Sequence, residues 1–244
     1  MRRNVTIILG VNISAQGLFV NKIRHLAVIM DGNRRWAKSR NLPTIEGHRA
    51  GVQSLKNLVK LCHRLDIEYL TVYAFSTENW KREKTELDFL FKLLAQAAIG
   101  ELSGLKSQNV RVKFLGDISA FKVVNIYQDL KNLEDQTAFN TGTKLQIALN
   151  YGSIAEILNA ANNIKNTLKP NQVEALDNES FSNYLYTAGI PNPDIMIRTG
   201  GDKRLSNYLL WQLAEARLVF VDTLWPDFSE KDLAGVIDLN TISS

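Results

Sequence analysis

The 244-residue sequence predicts a single α/β domain with a mostly parallel central β-sheet flanked by helices. Short apolar runs of strand length alternate with longer segments in which apolar residues recur at helical spacing. This alternation is typical of repeated βα units, whose strands pair in parallel. No stretch rich in Pro, Gly and Ser divides the chain. We therefore expect an N-terminal extension over residues 1–24 and one folded domain over residues 25–244.

Six apolar runs are predicted to be strands: 26–30, 70–75, 110–115, 145–149, 195–197 and 218–221. Apolar residues at helical spacing predict helices over 52–65, 87–98, 154–168 and 229–239. The last of these helices begins with Ser229 as its cap and has Asp232 at the capping-box position. A further short helix is expected to begin near residue 34, directly after the first strand.

The composition excludes several classes of protein. Hydrophobic residues make up 45% of the chain and charged residues 22%, as is ordinary for a globular protein with a full core. The net charge of +4 favours anionic partners, but the basic residues are dispersed, which argues against nucleic acid. Cys62 is the single cysteine, so no disulfide framework exists. No apolar run approaches the roughly 20 residues that span a bilayer, and a cytoplasmic location is expected.

Residues 1–24 contain four basic residues and no acidic residue, together with a short apolar stretch. A targeting peptide has this composition. Polar residues interrupt the stretch soon after it starts, however, so an extra strand or a loosely ordered tail is the preferred interpretation.

The first candidate site follows the first predicted strand. It consists of Asp31, Gly32 and Asn33, then Arg34 and Arg35 where a helix begins. Backbone N–H groups at a helix N-terminus attract phosphate oxygens, and arginine binds such oxygens bidentately. A carboxylate there can hold the Mg²⁺ that accompanies a diphosphate. Asp, Gly and Asn are also common in plain turns, and that alternative is open for the tripeptide alone.

A second candidate site lies at residues 198–207, RTGGDKRLSN. Gly200 and Gly201 follow a strand and are expected to let successive N–H groups form an anion-binding nest. Arg198, Arg204 and the Ser206 hydroxyl add charge and directed hydrogen bonds. A solvated loop is the alternative. Two anion sites in one chain indicate two phosphorylated substrates.

Other polar residues also follow predicted strands, namely Ser76, Glu78 and Asn79 after the second and Asn150 after the fourth. Ligands of open α/β sheets bind beyond the carboxyl ends of the strands, so these residues are expected to meet at one site. The segment STENW at 76–80 could equally be a helix cap with a tryptophan over the core. The apolar helix after Leu87 could be core or the wall of a hydrophobic tunnel.

From His25 to about Asp238 the chain resembles the cis-prenyltransferases, and most closely the bacterial undecaprenyl diphosphate synthases. Seven ordered motifs carry the resemblance: HLAVIMDGN at 25–33, GHRAG at 47–51, YAFSTENW at 73–80, NYG at 150–152, IRTGG at 197–201, RLSN at 204–207 and LWPDF at 224–228.

The resemblance implies a tunnel-containing fold and repeated cis addition of isopentenyl diphosphate to an allylic diphosphate, typically farnesyl diphosphate. The product would be a polyprenyl diphosphate, the lipid carrier of cell-wall synthesis. It further implies Mg²⁺ as cofactor, a homodimer with a heteromer as alternative, and peripheral membrane contact through the product.

The resemblance also implies roles for individual residues. Asp31 would bind Mg²⁺ and help the allylic C–O bond to break, and Asn79 with Ser76 would assist deprotonation. The remaining implied substrate-binding residues are Gly32, Asn33, Arg34, Arg35, Trp36, His48, Phe75, Trp80, Arg82, Glu86, Arg198, Arg204 and Ser206. Of these, Arg198, Arg204 and Ser206 would hold isopentenyl diphosphate. Ala74 and Thr143 lie where the family's tunnel narrows or closes.

Three departures from the family pattern bear on activity. Arg217 replaces a glutamate that takes part in Mg²⁺ coordination, and Glu215 could substitute only if this stretch is extended, since residues two apart then share a face. Thr44 stands where an arginine ligand is usual, unless Arg34 replaces it. A C-terminal Arg-x-Gly element is not found. These departures are the pattern of a catalytic subunit whose partner supplies the missing element, or of a weakened enzyme. A non-catalytic partner subunit is one alternative, and an enzyme of the same fold that joins prenyl units irregularly is another.

Overall fold

Six parallel strands form one central sheet in a computed structural model that describes residues 23–97, 99, 103–167 and 176–242. The strands are β1 (His25–Ile29), β2 (Tyr69–Ser76), β3 (Arg111–Leu115), β4 (Lys144–Tyr151), β5 (Ile195–Arg198) and β6 (Arg217–Phe220). Their order in the sheet is β3-β4-β2-β1-β5-β6. All six predicted strands are confirmed, with ends that differ by at most two residues.

Eight helices are found among the described residues: α1 (Asn33–Ser39), α2 (Thr44–Arg64), α3 (Lys84–Gln96), α4 (Ser103–Ser107), α5 (Tyr127–Thr137), α6 (Ser153–Thr167), α7 (Asn178–Ser182) and α8 (Glu230–Ile242). The predicted helices correspond to α1, α2, α3, α6 and α8. Among the described residues, no helix has the length and apolar character needed to cross a membrane. The predicted extension lies outside the described residues except for Ile23 and Arg24, and Ile23 is buried in the core.

Strand β1 lies in the middle of the sheet because it pairs with β2 on one side and with β5 on the other. Both of its faces are buried, as expected for a central strand of a parallel sheet. Leu26 and Val28 pack into the larger core on one face, and Ala27 and Ile29 pack into the smaller core on the other. Since all strands run in the same direction, the residues that follow β1, β2, β4 and β5 lie at one edge of the sheet.

A β-bulge at Ala74 interrupts the alternation of β2. Tyr73 is paired with Ala148 and Phe75 with Leu149, so two residues of β2 oppose a single step of β4. Tyr73 consequently packs against Tyr208 on one face of the sheet, whereas Phe75 packs against Phe91 on the other. The bulge leaves the small side chain of Ala74 at the surface of a cavity.

His25 is buried between β1 and its neighbours. Its Nδ1–H donates to the Pro191 carbonyl at 2.7 Å. Its Nε2 lies 2.7 Å from the Thr71 hydroxyl and, in the neutral ring, accepts a hydrogen bond from it. Burial lowers the pKa of His25 to about 4. The folded protein therefore holds this ring neutral, whereas the unfolded chain takes up a proton near pH 6.5.

Stability is therefore expected to fall as the pH decreases from 6.5 to about 4, because the unfolded state binds more protons in this window. The contribution of His25 amounts to about 3 kcal/mol over the whole window. Urea unfolding between pH 4 and 7 measures it. A His25→Gln variant should show a clearly flatter pH dependence, whereas His63→Gln, which changes an exposed histidine, should match the parent. An unchanged slope in His25→Gln would contradict the assignment.

Candidate active site

A cavity of about 820 Å³ opens at the carboxyl edge of the sheet. It is bordered by the residues that follow β1, β2 and β5 and by the first turn of α1. The structure thus brings together thirteen of the predicted site residues: Asp31, Gly32, Asn33, Arg34, Arg35, His48, Phe75, Ser76, Asn79, Arg82, Arg198, Arg204 and Ser206.

Thr199 fixes the main chain of Asp31. The Asp31 N–H donates to the Thr199 hydroxyl oxygen at 3.0 Å, and that hydroxyl donates to the Asp31 carbonyl at 2.7 Å. Gly32 follows with a φ of 120°, and a side chain there would meet the backbone of Leu224. Only glycine adopts this conformation readily, so the turn from β1 into α1 depends on it.

The Asp31 carboxylate lies between two arginines. One oxygen accepts from Arg35 Nη2 at 3.0 Å, and the other accepts from Arg198 Nη2 at 2.8 Å. The Asp31 side chain is 27% exposed and that of Arg198 only 4%, so the pair sits at the floor of the cavity. Charge-assisted hydrogen bonds of this kind are stronger than neutral ones, and they hold all three side chains in place.

Arg198 also organises the loop that follows β5. Its Nη1 donates to the Ser206 hydroxyl and to the Arg204 carbonyl, each at 2.6 Å. Asp202 accepts from Arg198 at 3.3 Å and pairs with Arg204 at 2.6 Å. The loop therefore gathers two guanidinium groups and one hydroxyl at the cavity wall.

The predicted glycine nest is wrong. The N–H of Gly200 donates to the Thr223 carbonyl at 2.8 Å, and the N–H of Gly201 donates to the Val221 carbonyl at 2.9 Å. Both glycines have positive φ, as expected, but their N–H groups connect the loop to the segment after β6. The anion donors of this loop are therefore the side chains of Arg198, Arg204 and Ser206.

His48 lies in the first turns of α2, opposite Asn33. Burial, with the nearby charge of Arg82 as the next cause, lowers the pKa of His48 to about 4, so the ring is neutral at pH 7. The Asn33 amide nitrogen lies 3.5 Å from His48 Nδ1. Glu86 accepts from Arg82 at 3.0 Å and lies 3.7 Å from His48 Nε2.

Three buried polar atoms at this cavity have no hydrogen-bond partner: Asn33 Oδ1, His48 Nε2 and Arg198 Nε. Leaving such atoms unpaired costs about 1–3 kcal/mol each. In addition, Arg34 lines the cavity and forms no ion pair with any residue that the structure describes. Among the described residues, Arg198 Nε is an unsatisfied donor and Arg34 is an unpaired cation, and both suit a phosphate-bearing ligand, whereas Asn33 Oδ1 is an acceptor.

Ser76 and Asn79 form a capping box at the short 3-10 helix Thr77–Lys81. Asn79 Oδ1 accepts from the Ser76 N–H at 3.1 Å. Both side chains line the cavity, as predicted. The Asn79 carbonyl oxygen is already engaged, so its free group toward the cavity is the amide NH₂, a donor and not a base.

An apolar pocket of about 130 Å³ continues from this cavity toward the core. Met30, Ala74, Phe75 and Leu90 line both spaces. Leu90, Leu93 and Leu94 show that α3 forms one wall of the pocket, while Phe91 also packs in the core. Helix α3 therefore belongs partly to the core and partly to the wall of this apolar pocket.

Several predicted site residues lie elsewhere. The Trp36 indole donates to Asp227 at 2.7 Å, because its side of α1 faces away from the cavity. Trp80 donates to Asn150 at 2.8 Å and packs among phenylalanines, so it supports the apolar wall. Glu86 does not line the cavity; it contacts Arg82 and lies near His48, which do.

Glu215 and Arg217 are not brought to Asp31 within this chain. Glu215 lies in a turn, so it does not share a strand face with Arg217. Arg217 pairs with Ile195 at the start of β6, whereas Arg198 pairs with Phe220 at its end. Arg217 and Arg198 are therefore offset by three residues along the strands, a distance of about 10 Å.

Among the described residues, no group of three or more His, Cys, Asp or Glu side chains could hold a metal ion. Mg²⁺ is commonly held by one or two carboxylates together with substrate phosphates and water, so a preformed cage is not required. Asp31 fits that arrangement: it is a partly exposed carboxylate at a cavity whose free donors suit phosphate.

Glu78 and Asn207 line the cavity, as the sequence led us to expect, but the contact between them was not predicted, and no role was predicted for Thr199 or Asp202. Asn207 donates to Glu78 at 3.0 Å and so joins the segment after β2 to the loop after β5. Thr199 and Asp202 both lie inside the predicted anion loop. Thr199 contacts Asp31, which is 168 residues away, and the contacts of Asp202 with Arg198 and Arg204 depend on the path of the loop. Only the adjacency of Thr199 to Arg198 could have marked it.

Comparisons with known proteins identify the family of the chain. The family model described as "Putative undecaprenyl diphosphate synthase" matches residues 29–239. An isoprenyl transferase of Clostridium acetobutylicum is 45% identical over 220 residues, covering 88% of this chain and 85% of that protein. One from Bacillus subtilis is 46% identical over 208 residues, covering 84% and 80%.

Two solved structures share the fold. Lavandulyl diphosphate synthase from Lavandula x intermedia, in complex with dimethylallyl diphosphate, has a TM-score of 0.85 at 31% identity, covering 91% of this chain and 97% of that chain. A probable undecaprenyl diphosphate synthase from Campylobacter jejuni has a TM-score of 0.74 at 32% identity, covering 92% and 98%. With its parallel sheet, its arginine-flanked Asp31 and its apolar pocket, the chain is a prenyltransferase that belongs to the undecaprenyl diphosphate synthase family.

Proposed function

We propose that residues 25–244 form a catalytic domain that elongates farnesyl diphosphate by repeated cis addition of isopentenyl diphosphate. The product is a polyprenyl diphosphate that serves as a lipid carrier for cell-wall synthesis. The observation that supports this best is the cavity at Asp31, where arginines from two segments flank one carboxylate and an apolar pocket opens directly behind.

The two sets of donors suit the two diphosphates. The first turn of α1, with Arg34 and Arg35, and the neutral His48 lie next to the apolar pocket, so we assign the allylic diphosphate to them. Its hydrocarbon tail then enters the pocket between Ala74 and Leu90. Arg198, Arg204 and Ser206 on the other side of Asp31 bind isopentenyl diphosphate. Arg34 takes the role of the arginine ligand that is usual in the family at the position of Thr44.

Asp31 would hold Mg²⁺, which when bound supplies charge that stabilises the departing diphosphate. Arg35 and Arg198 contribute the same kind of stabilisation from the protein. They are fixed before the reaction by Asp31 and the loop after β5, so little reorganisation is needed as negative charge develops on the leaving oxygen. The Asn79 amide and the Ser76 hydroxyl orient the substrate chain between these groups.

We further propose that the chain forms a homodimer. Ile154 and Leu158 on α6 and Leu218 on the edge strand β6 are large apolar side chains that are exposed. Burying such a surface is what a stable protein interface requires. Arg217 begins the same edge strand, so a neighbouring copy could place it near the second copy's site. The enzyme would act in the cytoplasm and contact the membrane through its lipid product.

The test is incubation of the purified chain with farnesyl diphosphate, labelled isopentenyl diphosphate and Mg²⁺, followed by mass analysis of the products. A ladder of products differing by one isoprene unit is expected. Absence of incorporation, with or without added partner chains, would contradict catalysis. Retention of Asp31 argues against a non-catalytic partner subunit, because such a subunit has no need of this carboxylate.

The second candidate function is irregular coupling of prenyl units. It is favoured by the structural similarity to a lavandulyl diphosphate synthase in complex with dimethylallyl diphosphate. Incubation with dimethylallyl diphosphate alone separates the two functions. Irregular coupling consumes this single substrate, whereas chain elongation requires isopentenyl diphosphate as well.

A further inference from the structure

Two carboxylates line the cavity: Asp31 and Glu78. They differ in their surroundings. Asp31 is paired with two arginines, which compensate its negative charge. Glu78 accepts from the neutral Asn207 amide at 3.0 Å, and among the described residues it has no cationic partner. Of these two carboxylates, only Glu78 therefore carries a negative charge that no arginine of the described residues compensates.

Glu78 also lies at the cavity next to the residues assigned to isopentenyl diphosphate. It lies two residues after Ser76, the last residue of β2, and its hydrogen-bond partner Asn207 directly follows Ser206 of the isopentenyl diphosphate site. Its charge is close enough to Tyr73 to add to burial in raising the pKa of that phenol. Tyr73 itself borders the cavity.

The ionised form of Glu78 is favoured. Burial alone raises the pKa of this carboxyl, but hydrogen bonds from Asn207, Ser76 and Thr77 outweigh burial and lower it. At neutral pH the group is a carboxylate. Such a weak base suffices here, because a C–H bond next to a developing carbocation is strongly acidic.

We propose, on the basis of the proposed elongation reaction, that Glu78 is the catalytic base. The allylic C1–O bond breaks and diphosphate leaves with its electron pair. C4 of isopentenyl diphosphate bonds to C1, which leaves positive charge at C3. The Glu78 carboxylate takes a proton from C2, and the C–H electrons form the C2–C3 double bond. The proton then passes to solvent, so one diphosphate and one proton leave in each cycle.

The decisive variant is Glu78→Gln, because glutamine keeps the oxygen that accepts from Asn207 but does not take up the proton. We expect kcat to fall about 10²-fold or more, as for loss of a general base, with the KM for isopentenyl diphosphate within threefold of the parent. Isopentenyl diphosphate deuterated at C2 should give an isotope effect on kcat near 1 in the parent and clearly above 2 in Glu78→Gln.

The matched control is Glu83→Gln, which changes an exposed carboxylate outside the cavity lining and should behave as the parent. A second variant, Glu78→Ala, should regain activity with added formate, whereas Glu83→Ala should not respond. Thermal melting of each variant verifies folding.

Unchanged kcat in Glu78→Gln would overturn the assignment, and so would a lower kcat without a change in the isotope effect, which is the signature of positioning alone. In both cases the parent still incorporates label, so the elongation function stands. A parent that incorporates no label would instead refute the elongation function and the assignment together.

Discussion

Replacing Asp31 with alanine is expected to reduce turnover by about 10³-fold or more while the thermal midpoint changes little. The carboxylate is the group that would hold Mg²⁺ on a diphosphate, and loss of leaving-group stabilisation acts on the transition state. Asp31 follows β1 in a turn at the cavity and contributes no apolar packing. Its main chain is held by Thr199 whatever its side chain.

The same variant should bind diphosphates at least as well as the parent when Mg²⁺ is absent. Asp31 compensates the charges of Arg35 and Arg198, so its removal leaves two cations for an anionic ligand. Calorimetric titration with inorganic diphosphate in a chelating buffer measures this effect. Asp31→Asn keeps the size of the side chain and loses its charge, so it should show the same increase in diphosphate binding as Asp31→Ala. Turnover within tenfold of the parent in either variant would contradict the assigned role of Asp31.

Replacing Ala74 with tryptophan is expected to shorten the product by several isoprene units. Ala74 borders both the cavity and the apolar pocket, so an indole there obstructs the passage that a growing chain must follow. Because the side chain points into open space, overpacking of the core is avoided. The first addition should proceed within about threefold of the parent rate, since the diphosphate ligands are unchanged.

Mass analysis of the product ladder provides the measurement. The control is Val123→Trp, which adds the same ring at a position that is 79% exposed and outside both spaces. A ladder in Ala74→Trp identical to that of the parent would show that the chain leaves the cavity by another route.

The sequence predicted the sheet well because every strand is a short apolar run bounded by polar residues. It predicted most residues of the cavity, because the residues after parallel strands lie at one edge of the sheet, but Asn150 lines another pocket. Helix α5 was not predicted, since only Leu130, Leu133 and Thr137 of its residues are buried and the apolar signal is correspondingly weak. The bulge at Ala74 was equally out of reach, because Tyr73 and Phe75 fit a regular strand.

Contacts that depend on distant partners explain the remaining failures. Paired glycines after a strand indicate free N–H groups only if no neighbouring carbonyl accepts them, and the carbonyls of Val221 and Thr223 do so. Trp36 belongs to the predicted motif, but Asp227, 191 residues away, fixes its direction. The position of Arg217 followed from the register of β6 against β5, which no local pattern specifies.

The pairing of β1 with β5 affects when the site can form during synthesis on the ribosome. The hydrogen bond between Arg198 and Asp31 joins residues 167 positions apart. Before β5 has emerged, β1 has no partner on that side and Asp31 lacks one of its two arginines. A nascent chain that ends before β5 therefore lacks Arg198, Arg204 and Ser206, which form the proposed isopentenyl diphosphate site. If isopentenyl diphosphate binds there as proposed, it stabilises only chains in which this late segment has been made and folded.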